Sequence, residues 1–86
     1  MKVSIEDVSI PERGIEKYKV FAMNTKLIGF IEKYRDHPGL KNPWKAFTPA
    51  YKTDLSEPEN GKLIGVYYGE NAQVKAMHAL YTEAFA

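Results

Sequence analysis

Cysteine is absent from the 86 residues, tryptophan occurs once and histidine twice. Without thiols there are no disulfides and no thiolate metal sites, so the fold rests on its apolar core alone. His37 and His78 lie too far apart to show a metal-ligand spacing. No stretch approaches the ~20 apolar residues that a membrane-spanning helix requires. Near the start, Val3, Ile5, Val8 and Ile10 are interrupted by charges and hydroxyls, unlike the apolar centre of a signal peptide. The expectation is a soluble, cytoplasmic domain with no cofactor, no metal and no membrane partner.

Catalytic constellations are equally scarce. Ser4, Ser9 and Ser56 lie in no nucleophile-elbow context. Asp36 and His37 are neighbours, and adjacent residues do not generally aim at each other as a base and its orienting acid. Asp54, Glu57 and Glu59 lack the alternating oxygen-ligand order of a calcium loop. Gly61, Gly65 and Gly69 recur every fourth residue without the lysine and Ser/Thr of a phosphate loop. A non-enzymatic protein is expected.

What the chain does have is a repeat. Lys-Leu-Ile-Gly occurs at residues 26–29 and again at 62–65, each time after turn-forming residues and before an apolar or aromatic stretch. Two segments of one design, each entered through a turn, predict antiparallel hairpins. Strands are expected at residues 18–23, 26–34, 44–48 and 62–68, with Pro49 marking the end of the third or an edge position. Residues 35–43 and 52–61 read as loops, rich in Asp, Pro, Gly and Asn. Residues 1–17 read as an irregular arm holding at most a short strand near Val3. From Ala72 the period changes, with Val74, Met77, Tyr81 and Phe85 on one helical face. Asn71 is expected to cap that helix, with Glu70 near its positive end. The expected fold is α+β, one domain over residues 1–86. In it an antiparallel meander of three to four strands (18–68) packs on a C-terminal helix (70–85).

A glycine inside a strand marks a bulge or a close approach. Strict alternation puts Leu27, Gly29 and Ile31 on one face, and Leu63, Gly65 and Tyr67 on one face of the later strand. Both faces of both strands are then largely apolar, although one helix covers only one of them. Close packing of the alanine-rich helix over Gly29 and Gly65 is one reading. The other is an open face that binds a partner or a second copy, with Leu27, Ile31, Leu63 and Tyr67 as the interface.

Charge is uneven beneath a net +1. Residues 33–52 hold Lys33, Arg35, Lys41, Lys45 and Lys52 against Asp36, whereas acids dominate residues 53–86. Those cations read either as a solvated surface or as phosphate contacts, with Trp44 stacking or packing beside them. Three strands and a helix, with Trp44 on the middle strand and a Leu-Ile-Gly-Val-Tyr last strand, resemble plant ethylene-response-type DNA-binding domains and integrase arm-binding domains. The resemblance spans residues 26–85 and implies that one sheet face enters the major groove while the helix braces the other. The chain departs from it in carrying only Arg13 and Arg35, and in its acidic loop. Six tyrosines point instead to a protein interface. The leading expectation is a protein-interaction or regulatory accessory module, and sheet-mediated nucleic-acid binding through residues 33–52 is the alternative.

Overall fold

A computed structural model describes residues 2–23 and 25–86. The element order is β1 (Val3–Asp7), a 3-10 turn (Pro11–Arg13), β2 (Ile15–Ala22), β3 (Lys26–Tyr34), β4 (Trp44–Ala50), β5 (Glu59–Tyr67) and α1 (Ala72–Ala84). The strands form one antiparallel meander in sequence order, and α1 lies across one face of β3, β4 and β5. The α+β class and the C-terminal helix are as expected; the strand count is five.

The fifth strand, β1, and the first residues of β2 come from the segment read as an arm. Tyr18 was expected to open a strand, but β2 begins at Ile15 and pairs along its length with β3. Gly14 adopts a left-handed conformation (φ 66°) that ends the 3-10 turn, and the Ile10 and Ile15 amides and carbonyls bond to each other across it. The chain thus reverses without a tight hairpin, which is why no two-residue turn signal announces β1. At the other end of β2, the short connection expected at residues 24–25 includes Asn24, which lies outside the described residues.

Two further boundaries differ. Strand β4 continues past Thr48 to Ala50, and of the two expected roles Pro49 takes the edge position, because β3 pairs only with residues 45–47 and no amide donor is needed there. The loop expected to end at residue 61 ends at 58, since Glu59 and Asn60 already pair with Ala50 and Pro49.

Both copies of the repeat hold a β-bulge. Val20 faces Gly29 while Phe21 faces Leu27, so Ile28 is an extra residue in β3. Ala46 faces Gly65 while Phe47 faces Leu63, so Ile64 is extra in β5. In each copy the isoleucine and the glycine both turn toward the helix, and the leucine goes to the opposite face. Strict alternation therefore assigned Leu27 and Leu63 to the wrong partners: Gly29, Ile31, Gly65 and Tyr67 face the helix, Leu27 and Leu63 face away.

The core lies between sheet and helix, with Val20, Ala22, Ile28, Ile31, Trp44, Ala46, Ala72, Ala76 and Leu80 enclosed there. Full burial of Leu80 or Ile31 contributes about 2 kcal/mol each from apolar area alone. A Cβ on Gly29 would lie 2.6 Å from Leu80 Cδ2 and closer still to the Phe47 carbonyl oxygen, so the helix does pack tightly there. At Gly65 the cover is not the helix but the ring of Tyr67, laid back over its own strand. The helix start also differs from expectation. Asn71 sits at φ 64° and its side chain makes no capping bond; its carbonyl accepts from the Lys75 amide at 2.9 Å.

Candidate functional site

The face of the sheet that α1 leaves free interleaves lysines with apolar and aromatic side chains. Pairing places Lys17, Lys19 and Phe21 of β2 beside Glu32, Phe30 and Leu27 of β3. Lys45 and Phe47 of β4 follow, then Val66 and Leu63 of β5. Tyr34 joins them at the end of β3, opposite Ile15. Phe30 is enclosed although it points away from the helix: Lys17 Nζ lies 4.6 Å from its ring centroid and Phe47 flanks it. Lys45 Nζ similarly lies 5.7 Å from the Tyr34 ring. Such cation–ring contacts keep the lysine stems on apolar surface and their ammonium groups in water.

Around that centre the surface is open. Leu63 is 46% exposed, Val66 40% and Tyr34 54%. The β4–β5 loop leans over one end of the face, where Glu57 Oε2 lies 3.8 Å from Lys19 Nζ, two strands from the hairpin that carries it. Ser56 holds this loop in shape, accepting from the Lys52 and Thr53 amides and donating to the Thr53 carbonyl. Leu55 at its tip is 97% exposed. Asn60 Nδ2 donates to Glu32 Oε1 at 3.0 Å, which fixes the amide's orientation; its Oδ1 is enclosed without a donor.

Three of the five sequence-predicted cations are neighbours, because Lys33 and Asp36 line both the cleft of Arg35 and that of Lys41 and Trp44, while Lys45 and Lys52 lie apart. Lys33 is on the helix side, 5.5 Å from the Trp44 ring and 3.4 Å from Asp36 Oδ2. Arg35 lines a cleft of about 410 Å³ with Ser9, Gly14 and Glu16. Lys41 lines a neighbouring one of about 470 Å³ with Trp44, Tyr68 and Glu70. Lys52 is in the acidic loop, 3.5 Å from Glu59, and Lys45 alone of the five faces the open sheet. Trp44 is a core residue, 8% exposed, with its ring 6.0 Å from that of Tyr18.

Of the four predicted interface residues, Leu63 is on the open face, as is the half-buried Leu27. Ile31 is fully enclosed and Tyr67 is packed against the core, so neither contributes to that surface. Lys17, Lys19 and Phe21 were missed. Their alternation with Tyr18, Val20 and Ala22 is plain in the sequence, but a boundary drawn at residue 18 cut Lys17 out of its strand.

Polar groups in the clefts are mostly engaged with one another. The Tyr18 hydroxyl donates to Glu16 Oε2 at 2.8 Å, and that bond to a carboxylate, reinforced by burial, pushes the phenol pKa up to about 12. Asp36 accepts from the Asn42 amide at 2.7 Å, which together with Lys33 holds its carboxyl below the usual range. His37 and His78 are both exposed, on a turn and on the helix. Among the described residues there is no group of three or more acids and histidines placed to hold a metal, and no helix long and apolar enough to cross a membrane.

No family model, curated protein or solved structure matches the chain. The resemblance to sheet-type DNA-binding domains gains no support from these comparisons. Strands β3 to β5 and α1 do follow the element order it implies, while β1 and β2 extend the sheet beyond it.

Proposed function

We propose that this protein is a small non-enzymatic binding module whose helix-free sheet face docks a protein partner. One observation carries the reading: Leu63, Val66 and Tyr34 stand exposed on a sheet face that no helix covers, beside the lysines of β2 and β4. Exposed apolar side chains grouped on one face and rimmed by polar groups are characteristic of association surfaces. The lysine rim favours a partner whose contact surface is apolar and acidic. Affinity capture with the wild type and with a Leu63→Asp/Val66→Asp variant tests the proposal. Both positions are solvent-facing, so the variant keeps the wild-type circular dichroism spectrum and loses the captured partner. Capture that survives the two aspartates rules out this face.

Nucleic acid is the second reading, favoured by Lys17, Lys19 and Lys45 sharing that face with Tyr34. The phosphate contacts are then these three rather than the whole of residues 33–52. Titration of labelled protein with duplex DNA at low and moderate salt distinguishes the readings, because binding through so few cations weakens with salt and disappears in Lys17→Glu/Lys45→Glu.

A further inference from the structure

We infer that the occupant of the helix-free face is a second copy of this chain, packed face to face about a two-fold axis that crosses the strands. The inference rests on the preceding reading of that face as the docking surface and names its partner.

The argument begins with charge. At one end of the face, where β2 and β4 begin, Lys17 and Lys45 flank Glu32, whose carboxylate accepts from Asn60, so the end carries a net positive charge. At the other end is the β4–β5 loop with Asp54 and Glu57, leaning over the face as the Glu57–Lys19 contact shows. Among the described residues, Lys17, Lys45 and Asp54 have no ion-pair partner within their own chain. A two-fold axis lying in the interface and perpendicular to the strands brings the acidic end of each copy onto the basic end of the other. Both contacts form at once, as an isologous interface requires. The face is thus self-complementary, whereas a side-by-side arrangement without reversal would set lysine against lysine.

Area points the same way. Leu63, Val66 and Tyr34 on the face, with Leu55 at the loop tip, have 46%, 40%, 54% and 97% of their surfaces free. At roughly 150–250 Å² for a large apolar side chain, that is about 450 Å² per copy. The half-buried Phe21, Leu27 and Phe47 and the lysine stems add to it, approaching the ~800 Å² per partner of a standard interface. Two twisted sheets stacked ~10 Å apart interdigitate such side chains as a sandwich does. Leu55, otherwise in water, is then carried by its loop to the Tyr34–Lys45 end of the other copy.

Charge reversal in two sets provides the test, read by sedimentation velocity over a concentration series. The wild type is expected to dimerise. Lys17→Glu/Lys45→Glu sets acid against acid, and Asp54→Lys/Glu57→Lys sets base against base, so each variant alone dissociates roughly tenfold or more readily. Mixed in equal amounts they recover the dimer, because in the mixed pair both contacts are again opposite in sign. All the substituted side chains are on the surface, and circular dichroism checks each fold. A wild type that stays monomeric to about 1 mM overturns the inference, as does a dimer indifferent to both reversals or a mixture that fails to reassociate. A monomeric wild type whose partner capture is still lost in Leu63→Asp/Val66→Asp leaves the docking face standing and removes only the second copy as its occupant.

Discussion

Replacing Gly29 with alanine adds a single methyl group at the tightest point between sheet and helix. The new Cβ would lie 2.6 Å from Leu80 Cδ2 and nearer to the Phe47 carbonyl oxygen, on a residue whose φ is +152°. Overpacking of this kind costs ~1–3 kcal/mol, and a side chain forced into a backbone region that disfavours it adds ~1–3 kcal/mol. Reduced freedom of the unfolded chain returns ~0.4–1 kcal/mol. The balance is about 3 kcal/mol of destabilisation, a large share of the ~4–13 kcal/mol expected for a domain of this length. Urea unfolding followed by the fluorescence of Trp44, the only tryptophan and a core residue, reads it directly. With a slope near ~1.5 kcal/mol per molar, the midpoint falls by about 2 M. The two clashes are separable, because Leu80 has a side chain that can be truncated and Phe47 O belongs to the backbone. Leu80→Ala alone costs ~2–5 kcal/mol through its cavity. In the double variant the Leu80 part of the Gly29 effect vanishes and the carbonyl part remains, a coupling of about 1 kcal/mol. A midpoint shift below about 0.5 M for Gly29→Ala refutes the close approach, and strict additivity with Leu80→Ala refutes the assignment of half of it to the helix.

Gly65→Ala is expected to cost less, about 1 kcal/mol, because the Tyr67 ring that its methyl meets can swing away. Thermal unfolding of the double variant with Tyr67→Leu should show most of that cost removed. Tyr18 supplies a pH signature. Its pKa of about 12 exceeds the unfolded value of 10.0, so the folded chain holds the phenolic proton more firmly. The associated stability is complete below pH 10 and is lost as pH rises from 10 towards 12. Ultraviolet absorbance titration should show a late-ionising phenol that shifts back down in Glu16→Gln.

The hairpins, the helix and the apolar excess on both sheet faces were legible because they are written in local periodicity. What escaped was set by pairing partners distant in sequence. Ile28 and Ile64 look like ordinary members of an alternating strand, and only the register against Phe21 and Phe47 reveals them as extra residues. That hidden shift moved Leu27 and Leu63 to the open face and Ile31 and Tyr67 into or against the core, dividing a predicted interface between two sides of the sheet. Residues 1–17 were obscure for a different reason. Val3 and Ile5 pair with Ala22 and Val20, but the connection passes through Pro11, a 3-10 turn and Gly14, whose composition signals a break and gives no sign of a strand resuming. Of the cations of residues 33–52, Lys33, Arg35 and Lys41 stay together around two adjoining clefts, while strand alternation turns Lys45 to the open face and the β4–β5 loop carries Lys52 away to Glu59. Asn71 failed as a cap because its left-handed backbone removes the extended geometry a capping side chain needs.

The register shifts of the sheet also determine where the chain can change length. Loss of one residue from a regular strand turns every side chain on one side of the cut onto the opposite face. Loss of Ile28 or Ile64 does not, since Leu27 already faces Phe21 and Leu63 already faces Phe47. The ladder would close up as a plain antiparallel pair, and the only side chain to leave the protein interior would be the isoleucine itself. Divergent copies of this fold can therefore carry Lys-Leu-Gly in place of either Lys-Leu-Ile-Gly with all remaining positions still on their own faces. A gap at residues 61–62 is tolerated on the same ground, because Phe47 faces Leu63 while Pro49 faces Asn60 and β5 already carries an extra residue there.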